Sequence, residues 1–168
     1  MNDLHSPISR LLLGLIAALC TSVSWGGFEI GNGRKVIVNG TGGYSIVIPE
    51  KMEVGNSKTF TEVITPLPAG TPRARLQINV VRDEGLITIH DLVDSRKDGV
   101  WTPINLAGLA GIQKEETLPT RLRQIEIRLL LRPREILVVN LEGVPGPSMM
   151  NPFETIRESL ETLKVFNK

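Results

Sequence analysis

The feature that most constrains this chain is a pair of alternating runs late in the sequence. Ile125, Ile127, Leu129 and Leu131 alternate with Gln124, Glu126, Arg128 and Leu130. Arg132-Pro133-Arg134 follow as a turn, and Ile136 to Leu141 return. A two-residue period puts successive side chains on opposite faces of a strand, so 122–131 and 135–142 predict a long antiparallel hairpin with one buried face. Whatever else the chain forms must cover that apolar face.

The rest of the sequence supplies partners. Leu76, Ile78 and Val80 alternate with Arg75, Gln77 and Asn79, a strand with one wet face. Lys35–Val38 and Tyr44–Ile48 flank Asn39-Gly40, a tight-turn signal that predicts a second hairpin. Thr59–Thr65 is β-branched and reads as a strand, and 104–116, with Gly108 and Gly111, reads as a bent strand or strand-loop. Over 88–99 the period changes. Ile89, Leu92 and Val93 share a helix face, Thr88 is placed as N-cap with Asp91 in the capping-box position, and Gly99 supplies the stop. A last helix starts with Asn151 as N-cap, Pro152 in the first turn and Glu154 in a second capping box. Phe153, Ile156, Leu160 and Leu163 form its apolar stripe, and Val165 and Phe166 complete the contact. The order predicts an α+β domain: a mostly antiparallel sheet of six to seven strands packed by a mid-chain helix and a C-terminal helix.

Residues 11–20, LLLGLIAALC, are unbroken apolar residues behind Arg10, and small residues follow in TSVSWGG. A positive start, a short apolar stretch and a small-residue exit are the parts of a secretory signal. The run is too short to span a bilayer, which takes about 20 apolar residues. Residues 1–24 therefore read as a signal peptide, with cleavage before Trp25 or before Gly27, and 25–168 as one domain in the periplasm or outside the cell. Cys20, the only cysteine, falls inside that segment. The remaining domain would have no disulfide and no cysteine chemistry, and about 144 residues suffice for a core without staples. Cys20 also admits a lipid anchor, although Leu19 before it is bulkier than such signals use.

This order resembles the PsbP-like fold, an α/β/α sandwich on an antiparallel sheet found in many small exported bacterial proteins. The resemblance rests on GYSIVIPE at 43–50, the mid-chain helix ending near Trp101, the Gly108/Gly111 segment, the long hairpin, and a final helix running into LKVF at 163–166. It spans about residues 30–168. It implies a non-catalytic accessory or binding role. The aromatic content of 4% is low for such a domain, and no motif here carries a known ligand. A cystatin-like or lipocalin-like arrangement is the alternative, but a lipocalin needs eight strands.

Chemistry-bearing residues are few. The net charge of +1 lacks the basic excess of a nucleic-acid binder. His90 is the one histidine after the signal. With Asp91 or Asp94 it has the form of a carboxylate-oriented base in a small hydrolase, but the same residues make an ordinary polar helix start. One histidine and no thiol do not suit a zinc site, and no cofactor motif is present. The glycine-rich GNGRKVIVNGTGG lacks both phosphate-loop spacings and reads as turns. There is no G-x-S-x-G elbow. Asp83-Glu84 and Glu115-Glu116 are neighbours that a strand would point apart. Met149, Met150 and Phe153 suggest an apolar contact patch or the foot of the last helix. The arginines give the main binding hypothesis. Arg73, Arg75 and Arg82 bracket one strand, and Arg121, Arg123, Arg128, Arg132 and Arg134 decorate the hairpin. If the two strands are neighbours, Arg75, Arg123, Arg128 and Arg132 form a basic face for an anionic partner, such as another envelope protein or lipid head groups. Glu126 and Glu135 would compensate it if it is only a solvated face.

Overall fold

A computed structural model describes residues 25–56, 60–65, 74–94, 99–144 and 151–166. The segment read as a signal, with Cys20, lies outside the described residues, as do Arg73, Met149 and Met150.

Among the described residues the chain forms eleven strands in two antiparallel sheets, with two short helices, an α+β arrangement. The strands are β1 (Trp25–Gly31), β2 (Arg34–Asn39), β3 (Tyr44–Pro49), β4 (Glu53–Asn56), β5 (Phe60–Ile64), β6 (Ala74–Arg82), β7 (Thr102–Leu106), β8 (Leu109–Thr117), β9 (Arg123–Arg132), β10 (Glu135–Gly143) and β11 (Lys164–Val165). Helix α1 covers Ile89–Asp94 and α2 covers Pro152–Ser159, with a 3₁₀ turn over Leu160–Thr162. The larger sheet runs β4-β5-β6-β10-β9-β8-β7 and the smaller β1-β2-β3-β11. Among the described residues no helix is long and apolar enough to cross a membrane.

The β9–β10 hairpin forms as the alternation requires. Ile125, Ile127 and Leu129 are buried opposite Leu141, Val139 and Leu137. Leu76 and Ile78 of β6 extend the same apolar face from the other side of β10. This face shares one core with Ile37, Tyr44, Ile46 and Ile48 of the smaller sheet and with Phe153, Ile156, Leu160 and Leu163 of the last helical segment. The opposite face carries a second, smaller core, where Leu86 and Leu92 meet Ile112 and Ile136, with Trp101 and Leu130 around them. The two helices thus lie on opposite faces of the larger sheet.

Several expectations need correction. The expected sheet of six to seven strands is present with seven, but four further strands among the described residues form a second sheet that was not expected. Residues 104–116 are not one bent strand but the β7–β8 hairpin, turning at Ala107 and Gly108, whose φ angles are 56° and 76°. Gly111 lies inside β8, where its missing Cβ lets the backbone of Arg128 approach. The 39–44 connection is not a two-residue Asn-Gly turn. Asn39 organises a four-residue loop: its side-chain oxygen accepts from the Gly42 amide (2.6 Å) and its carbonyl from the Gly43 amide (2.8 Å). Only Ile89–Asp94 of the expected 88–99 helix is described as helix; its capping box forms, with Thr88 N–H donating to Asp91 (2.7 Å) and Asp91 N–H to Thr88 Oγ1 (3.3 Å). Asn151 caps α2 by accepting from Phe153 N–H (3.1 Å), but Glu154 turns to Arg123 and Arg157. The chain leaves the helix at Leu163. Lys164–Val165 pair with β3, and Phe166 stays exposed rather than joining the core.

A polar cluster joins the two sheets. Asn39, Tyr44 and Thr61 are all fully buried. The Tyr44 hydroxyl lies 2.7 Å from Thr61 Oγ1 and accepts from the Asn39 amide at 3.0 Å. Burial pushes the Tyr44 pKa up, opposed by these hydrogen bonds.

Candidate functional site

The four arginines expected on one basic face do not converge. β6, with Arg75, and β9, with the hairpin arginines, are not neighbours; β10 runs between them. Arg75 and Arg128 project from the same face as α1, since each alternates with buried residues of the main core. Arg123 is in phase with buried Ile125 and belongs to the other face, where it bonds Glu154 of α2 (3.0 Å) and lies 5.2 Å from the Phe153 ring. Arg132 sits at the hairpin end. Each is matched with its own carboxylates: Arg75 with Glu62 and Glu142, Arg123 with Glu115 and Glu154, Arg128 with Glu126, and Arg132 with Glu135. Arg128 also lies over Trp101, 5.4 Å from the ring centre. In place of a continuous basic face there are four separate ion-paired sites.

The His90 pair does not form a site either. His90 is exposed. The Asp91 carboxylate is taken up by α1's cap, accepting from Ile87 N–H, Thr88 N–H and the Thr88 hydroxyl. The Thr88 bonds, then that of Ile87, hold its pKa down. Asp94 is exposed at the last described turn.

Of several concavities among the described residues, two gather the most charged side chains. The larger, about 410 Å³, lies at the tip of the β9–β10 hairpin between Arg82, Ile87, Arg132, Pro133, Arg134 and Glu135. The chain builds this tip by strapping the turn to the segment after β6. Arg134 adopts φ 70°, its amide donates to the Leu86 carbonyl, and its carbonyl accepts from Asp83 N–H at 2.9 Å. Ile87 is left 52% exposed beside three guanidiniums. Those three share two carboxylates: Glu84 takes Arg82 (2.7 Å) and Arg134 (3.4 Å), and Glu135 takes Arg132 (2.8 Å), which raises the Arg132 pKa. Both partners of the Glu84 pairs are more than half exposed, so those pairs hold weakly and yield easily to a competing anion.

The second concavity, about 190 Å³, lies on the face of the larger sheet that carries Arg75 and Arg128, among Gln77, Asn140, Gln124, Glu126 and Lys114. Strand register builds it. Glu62, Gln77, Asn140, Glu126 and Lys114 stand opposite one another across five strands. Arg75, Glu142, Gln124 and Glu116 form the next row. Gln77 donates to Glu62 (3.1 Å), and this bond is the leading reason that the Glu62 pKa is held down, with Arg75 adding to it.

Sequence reasoning singled out Arg82, Arg132 and Arg134 but not Ile87, whose exposure follows from the strapping of the turn. It put Gln77 on the wet face of its strand but did not select it. Gln124 and Asn140 carried no signal of their own, because only cross-strand register lines them up with Gln77.

No family model matches the chain, and no curated protein matches it. A crystal structure of a protein from Bacteroides thetaiotaomicron VPI-5482 is similar to it with a TM-score of 0.45 and 7% identity, over 75% of this chain. This chain spans 46% of that protein's length.

Proposed function

We propose that this chain is an exported, non-enzymatic binding or accessory domain that meets an acidic partner protein with the tip of its β9–β10 hairpin. The observation that carries the reading is the tip itself: three arginines on two carboxylates, exposed Glu84 and half-buried Glu135, around an uncovered isoleucine, in a concavity of about 410 Å³. Guanidiniums select carboxylates through paired N–H donors, and an apolar neighbour favours a peptide over a free ion. Export is read from residues 11–20, and the placement of helices on both faces of the larger sheet supports the likeness to the PsbP-like α/β/α sandwich. Fold alone assigns no activity.

The test has two parts. Mass spectrometry of the protein recovered from its source should give an N-terminus at Trp25 or Gly27; an acylated Cys20 would make it a lipid-anchored envelope protein, and an intact Met1 would end the export reading. Immobilised protein should retain an acidic envelope protein at low salt and release it as salt rises. Arg132→Gln with Arg134→Gln should cut retention by about tenfold or more. Equal retention by the double variant would overturn the role of the tip.

A further inference from the structure

The paired rows on the α1 side of the larger sheet point to a second binding site, and we infer that it takes a neutral oligosaccharide. The site is independent of the hairpin tip and rests on different residues.

The charges on this face are matched locally. Arg75 is held by Glu62 and Glu142, Lys114 by Glu116 (2.7 Å) and Arg128 by Glu126. Four carboxylates face three cations, so the surface offers an anion nothing and a nucleic acid less. What lies free between the ion pairs is amide. Among the described residues the side chains of Gln124 and Asn140 have no hydrogen-bond partner, although both are half-buried and line the concavity. Gln77 stands directly beside Asn140 with its carbonyl oxygen uncommitted.

Each amide offers two donors and an acceptor in one fixed plane. That set is complementary to sugar hydroxyls, which donate and accept at once. Glu126 opposite Asn140 and Glu142 opposite Gln124 add acceptor oxygens for hydroxyl protons. Strands in a sheet lie about 4.8 Å apart, so the five-strand row is about 19 Å long. That spacing is close to the rise per residue of an extended β-linked glycan, so successive sugars could meet successive strands. The occupant that fits is uncharged, rich in hydroxyl or acetamido groups, and linear. A peptide would instead seek an open strand edge or an apolar pocket, whereas this concavity lies on the interior strands β6, β10, β9 and β8 and is lined mainly by polar side chains.

The experiment titrates the isotope-labelled protein with chitopentaose and with cellopentaose, two uncharged probes, and follows the side-chain NH₂ signals of Gln77, Gln124 and Asn140 by NMR. These signals should shift and saturate with at least one probe at about 10 mM or below, the range of a weak open site. Asn140→Ala and Gln124→Ala should each weaken binding about tenfold, equivalent to about 1.4 kcal/mol, while leaving the melting temperature within a degree or two. Arg132→Gln should change nothing, which separates this site from the tip. Static amide signals with both probes, or undiminished binding by both alanine variants, would overturn the proposal. So would displacement of these signals by an acidic peptide alone.

Discussion

Replacing Tyr44 with phenylalanine removes one oxygen from the place where the two sheets are joined. The hydroxyl accepts from the Asn39 amide at 3.0 Å and lies 2.7 Å from Thr61 Oγ1, with the Ile78 carbonyl at 3.2 Å as a further acceptor. Without it, Asn39 Nδ2 keeps only a 3.5 Å contact to Thr61, in a site that water does not reach. Two hydrogen bonds are lost at about 1 kcal/mol each, and the stranded Asn39 donor sets the cost nearer the top of that range, so Tyr44→Phe should cost about 2 kcal/mol. For a domain of this size that is a fall of about 6 °C in melting temperature. Urea unfolding at pH 7 measures it directly. Thr61→Val in the same background should cost less than it does alone, because the two side chains share a bond, with a coupling of about 1 kcal/mol. The variant also tests the titration. Burial raises the folded pKa of Tyr44, so its contribution is fully present below the unfolded value of about 10 and is lost as pH rises through the folded value. Wild type should therefore lose stability faster than Tyr44→Phe above pH 10. A cost under about 0.5 kcal/mol, with parallel alkaline profiles, would refute the view that this cluster joins the sheets.

Gly111→Ala should destabilise by about 1–3 kcal/mol by overpacking, because the new methyl meets the Arg128 carbonyl and comes within 2.7 Å of Leu129 Cδ2; Gly108→Ala, where the space is open and only the positive φ is strained, should cost less in the same melt. Arg123→Lys should cost about 1 kcal/mol in urea, since one ammonium cannot serve Glu115, Glu154 and the Phe153 ring together; a neutral result would mean that the guanidinium fork does not tie β9 to α2.

Local pattern carried much of the fold. Leu76 and Ile78, and Ile125, Ile127 and Leu129, are buried as their alternation requires, and the stripe of Phe153, Ile156, Leu160 and Leu163 faces the core. Thr88 and Asp91 cap α1 because both partners are within one turn of each other. What failed depended on choices that sequence leaves degenerate. Gly108 turns a hairpin and Gly111 admits a neighbouring backbone, yet in INLAGLAGI the two look alike. Asn39-Gly40 has the composition of a two-residue turn, but the Asn39 side chain finds the Gly42 amide and Tyr44, so the loop widens. The arginines were legible as residues but not as a set. Whether Arg75 and Arg128 share a face with Arg123 is settled by strand phase and by β10 lying between β6 and β9. The alignment of Gln77, Asn140 and Gln124 is likewise a product of register between strands far apart in the chain.

The smaller sheet is finished by a strand that arrives long after its partner. The Thr162 hydroxyl accepts from Val47 N–H at 2.9 Å across 115 residues, and Val165 pairs with Tyr44. Closure entropy grows only logarithmically with loop length, about 0.6 kcal/mol per doubling, so even so distant a seal costs only about 3 kcal/mol more than a short turn. The penalty falls on timing. Each half of the larger sheet, β4 to β6 and β7 to β10, can assemble from successive hairpins, while Tyr44–Pro49 waits with an unpaired edge until the segment beyond α2 docks.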